Sequence, residues 1–546
     1  MMQKNKRYAY LLSAINVSPD LGEKEICAEA ERKMKRTGVS TQTLHFRLYK
    51  KSVDARKKQQ IRLACTVLVE SERELPARFC ERAGLKPMPL EDPEISLGKE
   101  LLSAPPVVVG MGPAGLFASL WLARNGYRPI LIDRGGSIDE RVAAVDRFVK
   151  QGILDPDCNI QFGAGGAGTF SDGKLVTRIN DPLCRSVIET FHAFGAPEEI
   201  LTLAKPHIGT DVLRGVVARM LEEIERLGGR VIYRCRMESF EERESGVLVC
   251  TEQGEIAAGA LILAIGHSAR DTYLDLIRRG YAIEPKPISV GFRIEHLQSD
   301  IDTALYGDFA GHPNLGHAEY ALSDTTGERG VYTFCMCPGG EVVAAASEEG
   351  GVVVNGMSNH ARDGRNANAA VLTSVTSKDY APIDGSLALG AIAFQRQIER
   401  AAFRAGGEAY DAPMMTVGDF LGGAWGSEPT RILPSYRSGR VRAADFESVY
   451  PRFAVESLRG ALRSFGKKIE GYDAPDAILT GAETRTSAPI RILRSAETLL
   501  ALGKQRIYPC GEGAGYAGGI TSAGVDGLRV AISLMARYAP IEEANA

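Results

Sequence analysis

With 546 residues, 44% apolar, 24% charged and a net charge of −3, the chain is too long for one core and is expected to divide into two or three domains. This balance is that of an ordinary globular protein and argues against binding of nucleic acid or membrane through the overall field. The ten cysteines include no CxxC and no zinc spacing, so no metal is expected, and reduced thiols in a chain of this size point to the cytoplasm.

The N-terminal stretch MMQKNKRYAYLLSAINVSPD places Lys4, Lys6 and Arg7 before an apolar run, as a signal peptide would. It has no small-residue cleavage site and contains Asn16, so it is read as a first strand, Tyr8–Ile15. A helix over 22–36, strands over 43–49 and 61–70 and a helix over 72–83 follow, making residues 1–90 a small α+β domain of split-βαβ type. Between the middle strands lies a basic hairpin-like connection, KKSVDARKKQQ. Residues 1–90 hold 19 Lys and Arg against 10 Asp and Glu, so the remainder carries −12. Pro and polar residues over 91–104 read as a linker.

From Val107 the pattern becomes α/β. Val107–Val109 is a β-branched run, as in a parallel strand buried on both faces. A helix over 113–125, a strand over 128–132, a long amphipathic helix over 210–227, a strand over 230–233 and alternating strands to Gly266 follow. Residues 271–480 lack the strict βα rhythm and are read as a second, mixed α+β substrate domain. Residues 481–546 return to strand (506–508), Gly-rich turn and helix (522–538). The apolar span Val107–Ala123 is interrupted by Gly and Pro and is not read as membrane-spanning.

The spelling GxGxxG occurs three times. In the first, strand Val107–Val109 runs into Gly110 and a helix leaves from Pro113. There Gly110 allows the tight turn, Gly112 lets a pyrophosphate approach, and Gly115 permits close helix–strand packing, with Pro113 and Ala114 between them. Asp133 ends the next strand, where a carboxylate accepts ribose hydroxyls. This motif reads as a dinucleotide site.

The second, FGAGGAGTFSDGKL, follows polar residues and precedes no immediate helix. Its Gly165 and Gly166 are read as letting backbone lie against a flat or charged ligand, with Thr169, Ser171, Asp172 and Lys174 as polar contacts. The third, in YPCGEGAGYAGGITSAGVDG, has no second strand after its helix in this sequence. It is therefore expected to complete another unit's site rather than open its own.

These segments carry a resemblance. VVVGMGPAGLFASLWLARNGYRPILIDRG resembles the N-terminal FAD fingerprint of the glutathione-reductase-like flavoproteins, with Asp133-Arg134-Gly135 where E-R-G is usual. ALILAIGHSARD resembles that superfamily's internal motif, with Gly266 at its turn, and RIYPCGEGAGYAGGITSAGVDGLRVA its distal FAD motif. SVDARKK, FGAGGAGTFSDGKL, KPHIGTD, GHSARDTY, GFRIEH, FCMCPGG and VVVNGMS are similar to the uncharacterised FAD-dependent dehydrogenase family, also described as NAD(FAD)-utilising, over essentially the full length.

The resemblance implies a Rossmann-like FAD-binding domain in two pieces, 105–270 and 481–546, with the substrate domain inserted. It places the pyrophosphate on the Gly110–Gly115 amides, the adenosine ribose on Asp133 beside Arg134, and the ribitol on Glu512 after Gly511, where Asp is more usual. Gly518, Gly519, Ile520 and Thr521 would face the flavin pyrimidine edge. His267, Arg270, Arg293 and His296, with Glu295 beside them, are the candidates for substrate chemistry, arginine as a carboxylate clamp and histidine as a proton carrier. Cys335 and Cys337 are read as strand residues that also admit a redox role.

Two functions remain open. One is an FAD-dependent oxidoreductase acting on a small molecule, reduced by its substrate or by transiently docked NAD(P)H. The other is a flavin-bearing protein that grips RNA or an acidic partner through Lys50, Lys51, Arg56, Lys57 and Lys58.

Overall fold

The computed structural model describes residues 8–38, 40–88 and 96–541. Lys4, Lys6, Arg7 and the first part of the linker at 91–104 lie outside the described residues.

The N-terminal unit is a four-stranded antiparallel sheet in the order Leu44–Asp54, Arg62–Ser71, Tyr8–Val17, Leu85–Met88. Helices Glu23–Lys35 and Ala77–Ala83 complete a β-α-β-β-α-β succession. Ile26, Ala30 and Met34, spaced four apart on one helix face, are buried with Leu12, Leu63 and Val67 of the sheet.

Three features of this unit differ from expectation. The second helix begins at Ala77, not Glu72, because Pro76 stands at its N-cap and disfavours helical backbone before it. Leu85–Met88 forms an extra edge strand, a place that tolerates its proline. Lys50–Asp54 are not loop: they pair with Arg62–Thr66. Lys51 then binds the body of the protein, donating to the Thr202 carbonyl at 2.7 Å and accepting from the Ala204 amide at 2.8 Å. That covers an otherwise open strand edge.

Five parallel strands form the sheet that matters most for the site, in the order Ile507–Pro509, Leu261–Leu263, Val107–Val109, Ile130–Ile132, Arg230–Ile232. The central three, VVV, ILI and LIL, are buried throughout, as strands covered on both faces must be. Helices Pro113–Arg124 and Ile520–Arg537 cross in close contact on one face. Glycine makes that approach possible, since a Cβ on Gly527 would stand 2.2 Å from the Ala114 carbonyl oxygen. A three-stranded antiparallel meander, Met237–Glu242, Val247–Thr251 and Gly254–Ala258, is appended.

A second, seven-stranded sheet runs Ser323–Asp324, Val331–Cys337, Asn366–Val375, Ile288–Leu297, Ile478–Glu483, Ala412–Thr416, Val441–Ala443. All its pairs are antiparallel except the last. Residue 481, where the sequence places a domain boundary, falls inside the strand Ile478–Glu483. That apolar run gives no signal of leaving one sheet for another. The two parts are further tied by Ile283–Pro285 pairing with Ile490–Ile492. Among the described residues no helix is long and apolar enough to cross a membrane, and no group of three or more His, Cys, Asp or Glu is placed to hold a metal.

Candidate functional site

The chain reverses its direction of travel across the parallel sheet at Val107–Val109. Successive strands lie first on one side of it, then on the other. The crevice at the carboxyl ends of such strands is where open α/β sheets hold ligands. Gly110 leaves the strand at φ 106°, and a Cβ there would be 2.2 Å from the Ala264 carbonyl oxygen. A Cβ on Gly115 would be 1.8 Å from the Gly110 carbonyl oxygen. Both positions therefore require glycine.

Gly112 caps the helix Pro113–Arg124 with no side-chain hydrogen bond. The first amides of that helix, Ala114 and Gly115 among them, are left for an anion.

The second glycine motif docks onto the first. The Gly165 amide donates to the Met111 carbonyl at 2.8 Å and the Ala164 amide to Gly136 at 3.0 Å. A Cβ on Gly166 would lie 2.7 Å from the Gly112 Cα. Thr169 and Ser171 do not offer their hydroxyls to a ligand as expected: Thr169 Oγ1 donates to the Ala164 carbonyl at 3.4 Å and Ser171 Oγ to Gly168 at 2.7 Å.

Sequence reasoning missed the residue that holds this loop, Arg141. It is fully buried and donates to the carbonyls of Asn159, Ile160, Ala164 and Gly166, with its guanidinium over the Phe170 ring at 4.7 Å. Burial pulls its pKa down to about 10. The only sequence signal is the Ser137–Glu140 capping box that starts its helix.

Asp133 departs from its expected role as a free ribose acceptor. Its carboxylate takes the amides of Met111 at 2.8 Å, Gly135 at 2.8 Å and Gly163 at 2.9 Å, so it ties three loops together. Arg134 lies largely buried over Phe162 at 4.4 Å and is paired with Asp271 at 2.8 Å.

At the opposite edge, Gly511 (φ 74°) packs on the Ala114 side chain and donates its amide to Asp526 at 2.7 Å. Arg494 pairs with the same Asp526 at 2.6 Å. Glu512 beside it accepts no hydrogen bond on its carboxylate from any described residue. Burial pushes its pKa up to about 7, with Lys286 pulling the other way. Gly518 and Gly519 lead into the helix Ile520–Arg537, again with no side-chain cap, and a Cβ on either would meet nothing within 4 Å. The same is true of Gly266. An unpartnered acid, two uncapped helix starts and glycines facing open space make a polar cradle suited to an anionic ligand.

Among the candidates for substrate chemistry, four are buried in structural networks, which corrects the expectation for them. Arg270, 1% exposed, binds Glu399 with two hydrogen bonds (2.7 and 2.8 Å), Glu348 at 2.9 Å and Gln395 at 3.0 Å. Arg293, fully buried, is held by Glu483, Asn355, Asn368 and the Cys335 carbonyl. Glu295 is buried against Ser435 and Asn366. His296, 2% exposed, uses Nε2 on the Tyr472 carbonyl at 2.8 Å.

His267 alone is half-exposed, with Nδ1 2.9 Å from Ser268 Oγ. Burial, with Arg485 and Arg270 adding to it, pushes the imidazole down to about 4. Its ring is therefore expected to stay neutral from pH 5 to 8. Histidine carbon shifts, assigned with His267→Gln, would show this, and a midpoint near 6.5 would refute it.

Residues 287–486 match the family model described as FAD-dependent protein, C-terminal domain-like, a stretch that spans the seven-stranded sheet. A Clostridium beijerinckii protein described as "Uncharacterized protein" is 43% identical over 548 residues, covering 97% of this chain and 99% of that one. The chain belongs to one family with that protein, and its residues 287–486 carry the FAD-dependent, C-terminal domain-like part. Its cofactor is FAD, and the cradle just described fits it.

Solved structures show more distant likeness. Lactococcus lactis thioredoxin reductase is 18% identical over 30% of this chain and 35% of that one, with TM-score 0.18. CtdE in complex with FAD is 12% identical over 79% of this chain and 86% of that one, with TM-score 0.34.

Proposed function

We propose that the protein is an FAD-dependent oxidoreductase that passes a hydride between the flavin and a small molecule. The FAD-binding part is the parallel sheet, formed by residues before 270 and after the seven-stranded sheet in the manner of the glutathione-reductase-like flavoproteins. The observation that carries the assignment is Glu512: a half-buried carboxylate that accepts no hydrogen bond from any described residue, at the carboxyl end of Ile507–Pro509, one strand removed from the strand that runs into Gly110.

The bound group supplies the redox chemistry, and the protein holds and orients it. The amides of Gly112, Ala114 and Gly115 would take the pyrophosphate, Glu512 a ribitol hydroxyl, and the amides at Gly519–Thr521 the pyrimidine edge, since the Gly110 and Met111 amides are spent on the Ile132 carbonyl and Asp133. Positive potential at that helix start favours the anionic reduced state. Because Asp133 is committed to three amides, a ribose hydroxyl would meet it only as one more donor to a shared carboxylate.

All three glycine motifs lie at one edge of one sheet, so none remains for a separate nicotinamide site. A nicotinamide donor would therefore dock transiently against the flavin. The purified protein is expected to be yellow, with a flavin spectrum that bleaches anaerobically with NADH, NADPH or a substrate pool. A colourless protein that takes up no added FAD would refute the reading.

A further inference from the structure

The segment that leaves the second glycine motif reaches a pair of thiols. Cys335 and Cys337 sit two apart in the strand Val331–Cys337, where pairing with Asn366–Val375 slips register between Phe334 and Cys337. Cys335 takes φ 44°, a left-handed conformation rare for a residue with a side chain. In a regular strand the two side chains would stand on one face about two residue rises apart. The bulge instead folds the pair together, so that Cys337 Sγ donates to the Cys335 carbonyl at 3.4 Å. Such strain collects at working sites.

The charges around the pair favour a thiolate. Lys174 and Arg293 both act on the sulfurs, and Arg293 is anchored on the Cys335 carbonyl at 2.8 Å. The neighbouring Cys337 thiol, with Lys174 and Arg293, pulls the Cys335 thiol below its ordinary value against its burial, while Cys337 is pushed up. Cys335 is half-buried, and its neighbour Phe334 is exposed.

Lys174, whose charge reaches the thiols and which pairs with Asp172 at 3.4 Å, is next in sequence to a residue at the flavin end of the cradle. The next carbonyl, Leu175, accepts from Thr521 Oγ1 at 2.7 Å, and a Cβ on Gly168 would be 3.0 Å from Ile520. Those are the residues that begin the last helix.

We propose that Cys335 and Cys337 form a redox-active dithiol that exchanges two electrons with the bound flavin. This rests on the flavin reading above. In the oxidising direction the Cys335 thiolate and the Cys337 thiol join in a new S–S bond. The Cys337 S–H bond breaks, and its proton and the two electrons go to oxidised FAD. Thiolate, thiol and FAD give disulfide and singly protonated reduced flavin, so atoms and charge balance. The reverse step opens the disulfide, and the protein then stores two electron pairs rather than one.

The test is an anaerobic dithionite titration of the FAD-loaded protein after mild oxidation with diamide and desalting. Full reduction is expected to take about four electrons per flavin, against about two in Cys335→Ser and Cys337→Ser. Trypsin releases Gly330–Arg362, whose only cysteines are this pair. Before titration that peptide is expected about 2 Da lighter, and afterwards it should take two alkylating groups. Two electrons per flavin in the wild type, or a peptide that never pairs even under diamide, overturns the proposal. A pair that forms in protein unable to bind FAD supports the dithiol and overturns the flavin reading instead.

Discussion

Glu399→Ala is expected to lower stability by about 3–5 kcal/mol, the range for breaking a buried ion pair from one side. Glu399 is 1% exposed and accepts from Arg270, Arg485 and Thr484. Removing it leaves two guanidiniums buried beside one another, with only Glu348 near both. The start of helix Arg270–Arg278 and the turn after Ile478–Glu483, which carry those guanidiniums, would then repel one another. Urea unfolding followed by circular dichroism reads the loss, and a change under about 1 kcal/mol would show that the network contributes little.

The same network gives a pH dependence with a definite sign. Burial disfavours charge on Glu348, yet Arg396, Arg270 and Arg485 outweigh it and hold the carboxyl down to about 2; Glu399 is likewise held well below its ordinary value. Folded values below the unfolded ones mean this stabilisation is fully present above about pH 4.5 and is lost as pH falls towards 2. The Glu399→Ala protein should therefore show a shallower acid loss than the wild type.

Glu512→Ala is expected to weaken FAD binding by about 10- to 150-fold, corresponding to a lost charged hydrogen bond of about 1.5–3 kcal/mol. Its carboxylate accepts no hydrogen bond from any described residue, so removal breaks none of those, and the folded apoprotein should remain. The raised acid gives a second check. A folded value of about 7 against an ordinary 4.5 means that Glu512 favours the folded apoprotein at low pH, and that this contribution is lost as pH rises to about 7. Thermal unfolding of the apoprotein should therefore weaken less from pH 5 to 8 in Glu512→Gln than in the wild type. Unchanged flavin content after gel filtration of Glu512→Ala would remove the acid from the site.

Local pattern carried far at the parallel sheet. VVV followed by GMGPAG specifies a turn whose Gly110 and Gly115 are demanded by contacts of 2.2 and 1.8 Å with neighbouring carbonyl oxygens, and GEGAGYAGG leads from a short buried strand into the last helix. Such constraints are written in one short stretch of chain. The thiol pair was visible only as spelling, because what changes its chemistry is a bulge against Asn366–Val375 and a lysine from far earlier in the chain.

The chain alone determined the glycine turns, the alternation of short buried strands with helices, and the acid at 512, because each depends on residues within a few positions of one another. Tertiary structure decided which charged side chains are spent inside the protein. Asp133 is used up by amides from three loops and Arg270 by carboxylates 78 and 129 residues away. Arg141, silent in the sequence, is buried on four carbonyls. A buried charge must find partners wherever the fold brings them, and sequence distance does not record that.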